Sequence, residues 1–109
     1  MSPLDFHVLL VLAGEDLYGY AIMKRVEEDS AGAVRVEIGT LYRVLSRLMD
    51  MGLIAEADPP PGAPASHRGL PRKYYAITST GAALVREEAR RLERVVRLAR
   101  NLLPDVGAS

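Results

Sequence analysis

Ile38-Gly39-Thr40-Leu41-Tyr42-Arg43-Val44-Leu45-Ser46-Arg47-Leu48, followed three residues later by Gly52-Leu53-Ile54, decides how this 109-residue chain folds. Leu41, Val44, Leu45 and Leu48 recur at the i, i+3, i+4, i+7 spacing that puts them on one side of a helix. The spacing predicts a helix from about Ile38 to Met51 that stops at Gly52. Thr40, Arg43, Ser46, Arg47 and Asp50 fall on the opposite side, with Tyr42 on the flank. One side locks into a core. The other offers two guanidiniums a turn apart, together with hydroxyls. An arginine can hold a guanine edge through two hydrogen bonds in the major groove, and hydroxyls and free helix-start amides at Gly39 and Thr40 can hold phosphates. Taken alone, the same pattern also describes an ordinary solvated helix face.

Toward the N-terminus, Leu17-Tyr18-Gly19-Tyr20 leads into a second helix of about Tyr20 to Ser30, with Ile22, Met23 and Val26 as its apolar stripe. Ala31-Gly32-Ala33 ends it, and Val34-Arg35-Val36 forms a brief extended segment or turn. The first helix opens on Ser2-Pro3, an N-cap followed by a residue suited to the first turn. Gly14 closes it in the position of an inexpensive left-handed cap. Leu4, Val8 and Val11 mark one face of this helix and Phe6, Leu9, Leu10 and Ala13 another. A helix apolar on both sides needs more than one cover, and in so short a chain one cover is expected to be a second subunit.

Toward the C-terminus, Leu53 to Ala57 reads as a short strand. Asp58 to Ser66, with four prolines and a glycine, excludes helix and central strand. Tyr74 to Thr78 returns as a strand of aromatic and β-branched residues. Together they predict a β-hairpin with an extended basic tip carrying Arg68, Arg72 and Lys73. Thr78 or Ser79 caps a last helix of about Thr80 to Leu103, ended by Pro104. At 1.5 Å per residue it is about 36 Å long, more than a small core can cover. Val85, Leu92, Val96, Ala99 and Leu103 repeat in a coiled-coil-like spacing suited to helix pairing. The fold class is mainly α with a small β-hairpin: a winged helix-turn-helix plus a long C-terminal dimerisation helix. Residues 1–78 form the winged part and 79–109 the helix and tail, in one compact unit.

Composition narrows the functions open to such a chain. Without cysteine there is no disulfide, thiol nucleophile or cysteine–metal site. No apolar run approaches a membrane span, and Phe6 to Ala13 lacks the flanks of a signal peptide. His7 and His67 lack metal-site spacing. No phosphate-cradling glycine loop, nucleophile elbow or acid–base pair occurs, so neither an enzyme nor a cofactor is expected. The formal net charge is zero, but the charges are unevenly placed. Up to Ser66 there are five Lys/Arg and ten Asp/Glu; from His67 onward there are nine and four. Local clusters, not the sum, set a surface potential.

Three separated motifs resemble the PadR family of transcriptional regulators. Leu17-Tyr18-Gly19-Tyr20-Ala21-Ile22 is similar to the family's L-x-G-Y-x-I opening of the second helix. Ile38 to Leu48 with Gly52-Leu53-Ile54 is similar to its G-T-L-Y-x-x-L-x-R-L…G-L-I recognition helix. Arg72-Lys73-Tyr74-Tyr75-Ala76-Ile77-Thr78, with Gly81, is similar to its R-K-Y-Y-x-L-T-x-x-G segment. The resemblance covers roughly residues 4 to 85. Glu37-Ile38 departs from the Ser-Pro that precedes Gly-Thr in many relatives; Glu is a poorer N-cap and sets a negative charge near the expected phosphates. The wing tip is also longer and richer in proline than the resemblance implies.

The resemblance implies the compact subgroup: a cytoplasmic homodimer joined through its first and last helices, binding a near-palindromic operator with half-sites about one turn apart. It puts Thr40, Tyr42, Arg43 and Arg47 on the DNA-facing helix and Arg72 and Lys73, beside Arg68, on the wing. Tyr74 and Tyr75 are expected to pack the hairpin onto the core, and Tyr18 and Tyr20 to pack rather than meet phosphate. The expected function is a repressor released by a small hydrophobic or aromatic effector. Phe6, Leu9, Leu10, Leu92, Val95, Val96 and Ala99 are the residues from which a pocket between subunits would be built, with dry helix packing as the alternative. A winged-helix module that binds protein and not DNA is the competing function. It would be expected to show apolar residues where Thr40, Arg43, Arg47, Arg72 and Lys73 stand.

Overall fold

Ser2 and Thr78, two hydroxyl caps, mark where the first and last helices begin. The computed structural model describes residues 1–64, 66–67 and 70–103. Ser2 Oγ accepts the Asp5 amide at 3.1 Å and opens α1 (Pro3–Gly14). Thr78 Oγ1 accepts the Gly81 amide at 3.1 Å and opens α4 (Ser79–Leu102). Between them lie β1 (Leu17–Tyr18), α2 (Gly19–Asp29), α3 (Ile38–Asp50), β2 (Ile54–Ala57), β3 (Ser66–His67), β4 (Leu70–Pro71) and β5 (Tyr74–Ile77).

The core is the meeting of three helical stripes. Val8, Leu9, Val11 and Leu12 of α1, Ile22 and Val26 of α2, and Leu41, Val44, Leu45 and Leu48 of α3 are all buried. Leu53, Ile54, Tyr75 and Val85 close it from the sheet and the start of α4. At about 25 cal/mol per Å² of apolar surface, each such leucine or isoleucine contributes roughly 1.5–3 kcal/mol. The four leucine and valine positions expected to anchor the third helix are the ones that α3 buries.

Gly81 explains how tightly α4 joins this body. A Cβ there would lie 2.1 Å from the Leu53 carbonyl oxygen, so only glycine lets the helix sit against the start of β2. Thr78 reinforces the joint: its amide donates to Leu53 O at 3.1 Å and its hydroxyl to Gly52 O at 2.7 Å. Beyond Val85, α4 buries nothing further. Leu92, Val95, Val96, Leu98 and Leu102 stay exposed, and the molecule measures 53 × 27 × 26 Å.

The structure revises several expected boundaries. Gly14 remains inside α1, and the helix stops at Glu15 in extended conformation (φ −165°) rather than at a left-handed glycine. The second, third and fourth helices each start or finish about one residue away from their expected limits. The predicted two-stranded hairpin gains a third strand in an antiparallel sheet ordered β1-β5-β2, with β5 at its centre. Leu17 and Tyr18, read as a lead-in to the second helix, pair with Tyr75 and Tyr74. A two-residue strand is too short for periodicity to reveal. Within the wing, β3 and β4 form a further antiparallel ribbon, with Ser66 opposite Pro71 and His67 opposite Leu70. Arg68 and Pro104 lie outside the described residues, as does the side chain of His67.

Candidate nucleic-acid interface

The outer face of α3 is built as the spacing implies. Tyr42, Arg43, Ser46 and Arg47 are exposed and Thr40 is half-buried, each set by the burial of the leucines behind it. Arg43 donates from Nη2 to Thr40 Oγ1 at 3.0 Å, which holds its guanidinium along the helix start. Among the described residues, Arg43 meets no carboxylate within ion-pair distance. Its charge is therefore uncompensated by any of them. Glu37 occupies the N-cap of α3 and makes no side-chain capping bond. The first amides of the helix are left for water or a phosphate oxygen, against the repulsion of the Glu37 carboxylate.

Arg47 has a different setting. Its Nη1 donates to Asp5 Oδ2 at 3.0 Å and its Nη2 to Asp5 Oδ1 at 2.7 Å. The hydrogen bonds, and then the charge of Asp5, hold the Arg47 pKa above its ordinary value. Arg47 lies on the expected face, but its fork is engaged by α1. The sequence gives little sign of this, because the partner stands 42 residues away.

Tyr42 is half-exposed, and its ring rests on α2 at Gly19: a Cβ on Gly19 would fall 2.8 Å from the Tyr42 hydroxyl oxygen. The glycine of the Leu17–Ile22 motif thus serves α3, seating the tyrosine at its flank.

The wing root is assembled from aromatic rings and cations. Tyr74 and Tyr75 are buried as expected. Tyr74 donates its hydroxyl to Pro64 O at 3.0 Å and stacks edge-on against Tyr18, with centroids 5.5 Å apart. The Arg72 guanidinium carbon sits 4.1 Å from the centre of the Tyr18 ring, a cation–π contact that ties the wing to β1. Lys73 is exposed, 3.7 Å from the Glu56 carboxylate across the β2–β5 pair and 5.9 Å from the centre of the Tyr75 ring. Tyr18 packs, as expected; Tyr20 is half-exposed.

The residues expected to line an effector pocket are only partly gathered. Phe6 and Leu92 meet at a hollow of about 250 Å³ between α1 and α4, which His7, Glu88 and Arg91 also line. The His7 Nδ1 atom is buried there without a hydrogen-bond partner, and Glu88 and Arg91 form an ion pair. Leu10, Val95 and Val96 are exposed beside it. Leu9 is fully buried in the core of the chain itself, so its side chain serves folding. No helix of the described residues is long and apolar enough to cross a membrane.

Comparison with known proteins agrees with this geometry. The sequence profile of the transcriptional regulator PadR-like family matches residues 8–87. A PadR family transcription regulator of Clostridium difficile R20291 is 24% identical, with 94% of this chain and 99% of that one covered and a TM-score of 0.74. A PadR-like transcriptional regulator of Bacillus cereus is 26% identical, with 92% and 90% covered and a TM-score of 0.73. Bacillus subtilis PadR, solved in complex with operator DNA, is 22% identical, with 79% of this chain and 46% of that one covered and a TM-score of 0.65. The arrangement of helices, sheet and wing, the outward arginine of α3 and the profile match over residues 8–87 agree on one assignment: this chain belongs to the PadR-like family of transcriptional regulators.

Proposed function

We propose that this regulator is a cytoplasmic homodimeric repressor that inserts α3 into the major groove of a near-palindromic operator. The observation that carries the reading is Arg43: a guanidinium on the outer face of the helix, oriented by Thr40 and neutralised by no carboxylate of the described chain. Such a group can take the O6 and N7 of a guanine, a contact worth about 1–3 kcal/mol of discrimination. Thr40 and Tyr42 flank it, and Lys73 and Arg72, with Arg68, supply the wing that meets the backbone. The operator complex of Bacillus subtilis PadR supports the DNA reading.

Dimerisation is supported by the apolar residues that α4 leaves uncovered beyond Val85, with Leu10 of α1 beside them. Pairing two such helices about a two-fold axis would cover Leu92, Val95, Val96, Ala99 and Leu103 and set two α3 helices for half-sites about one turn apart. The hollow at Phe6, His7 and Leu92 is the place for an effector: apolar side chains beside the Glu88–Arg91 ion pair suit a hydrophobic molecule that carries a polar group. A bound dimer represses by occupying the promoter.

The test is enrichment of bound fragments from random duplex DNA, followed by fluorescence anisotropy on the enriched site. Arg43→Ala is expected to flatten base preference at one position per half-site, and sedimentation is expected to give twice the chain mass. Unchanged preference with Arg43→Ala would refute the assignment of the reading residue.

A further inference from the structure

Asp5 stands in the first turn of α1, where its own amide is fixed on Ser2 Oγ at 3.1 Å. Arg47 stands in the last turns of α3. The two-bonded fork between them fixes relative orientation as well as distance, because a planar guanidinium meets a planar carboxylate. Asp5 is the more enclosed partner, its side chain 13% exposed against 50% for Arg47. Neither residue belongs to the apolar core.

What lies beside the fork matters. A cleft of about 250 Å³ opens beside the fork, lined by Asp5 and Leu9 of α1, by Leu48 and Met51 at the end of α3, and by Met1, Leu53 and Leu84. Leu9 and Leu48 are buried in the core and seat α3 in the body; the fork adds a directional contact at the outer edge, where the cleft leaves Met51 exposed. The start of α3 is seated on α2 through Tyr42 and Gly19. Its far end is held to α1 through Arg47 and Asp5.

We infer that Asp5 is a positioning residue for operator recognition: acting through Arg47, it sets the tilt of α3 relative to α1, and with it the half-site spacing the dimer accepts. The inference rests on the dimeric, DNA-binding reading above. In such a dimer α1 and α4 form the common frame and α3 is the reading element, so any play between frame and reader broadens the range of spacings tolerated. Arg47 then acts by engaging Asp5, and base reading on α3 falls to Arg43.

The experiment uses the duplex enriched by the wild-type chain, with one base pair added or removed between its half-sites. Each change moves a half-site by about 3.4 Å and rotates it by roughly 35°. Wild type is expected to bind the altered duplexes about tenfold or more weakly. Asp5→Asn and Arg47→Gln should each reduce that penalty to about threefold or less, with dimer mass retained and thermal midpoints within a few degrees of wild type. The double variant should match either single one, as expected for two groups acting through one contact. An unchanged spacing penalty overturns the inference. So does an additive loss of affinity on every spacer when Arg47→Gln is placed on Asp5→Asn, since Arg47 would then touch DNA itself. Loss of dimer mass or of folding in both single variants makes the fork a stability element and overturns it too. Failure of the underlying reading shows separately: wild type would enrich no duplex, or sediment as a monomer, before any variant is made.

Discussion

Replacing Glu56 by Gln should strengthen DNA binding, and the size of the gain follows from the geometry of the wing. The Lys73 ammonium lies 3.7 Å from the Glu56 carboxylate, with both side chains about half-exposed. Two unit charges at that distance in water attract by about 1.1 kcal/mol, and by about 0.7 kcal/mol once screened at physiological salt. Exposed pairs of this kind fall in the range of roughly 0–1 kcal/mol. To reach a phosphate, Lys73 gives up this attraction. Removing the carboxylate charge removes that cost, so affinity should rise by about threefold to sixfold per wing. Fluorescence anisotropy between about 50 and 200 mM salt would read it, with the largest gain at the low end. Lys73→Ala should weaken binding to all sequences and lower the salt slope by about one for each phosphate it no longer neutralises. In that background, Glu56→Gln should recover only the direct repulsion between Glu56 and the backbone. Equal or weaker binding by Glu56→Gln, or a gain undiminished by Lys73→Ala, would refute the reasoning.

Other outcomes can be checked on the same protein. Gly81→Ala sets a methyl 2.1 Å from the Leu53 carbonyl oxygen, a backbone atom that cannot swing aside; it should cost about 2 kcal/mol or more and lower the calorimetric midpoint by roughly 10 °C. Gly19→Ala instead meets the far end of the Tyr42 side chain. Stability should change by about 1 kcal/mol or less, while operator affinity falls severalfold as the ring is displaced; wild-type affinity would remove Tyr42 from the interface. Burial, then the charges of Tyr42 and Glu56, raise the Tyr75 hydroxyl above its ordinary 10.0. The folded state therefore holds this proton more tightly than the unfolded chain. That stability is fully present below pH 10 and is lost as pH climbs through the raised value, so denaturant titrations should show a shallower alkaline decline for Tyr75→Phe.

The features legible in the sequence are those carried by local pattern. The leucine ridge of α3 is a statement about one helix, and burial follows it residue by residue. The caps at Ser2 and Thr78 depend on hydroxyls within three residues of the amides they accept. Contacts that close over long separations are not written in any window. Nothing near Asp5 announces Arg47, and nothing near Glu56 announces Lys73, because register and helix tilt decide both. Leu9 shows the limit from the other side: on a helix apolar nearly all round, periodicity cannot say which stripe the chain's own core takes, and the core takes Leu9. The glycines at 19 and 81 are visible as motif positions, but their reason is the approach of Tyr42 and of the Leu53 carbonyl, which only the packed structure supplies.

A chain of zero net charge is an unexpected partner for DNA, and under the proposed function the pairing of its charges would account for how it can be one. On α3 and the wing, Arg47 is held by Asp5, Lys73 leans on Glu56 and Arg72 lies over Tyr18. Nonspecific affinity comes from cations neutralising phosphates, and here a wing cation must first leave an internal partner. Arg43, held by a hydroxyl and opposed by no carboxylate of the described chain, would give up no ion pair on meeting a base. In the proposed complex the internal pairs would therefore weaken binding to any sequence while leaving an Arg43–guanine contact at full strength. The ratio of specific to nonspecific affinity, which decides occupancy of one site among a genome of competitors, would then gain from the same acids that bring the net charge to zero.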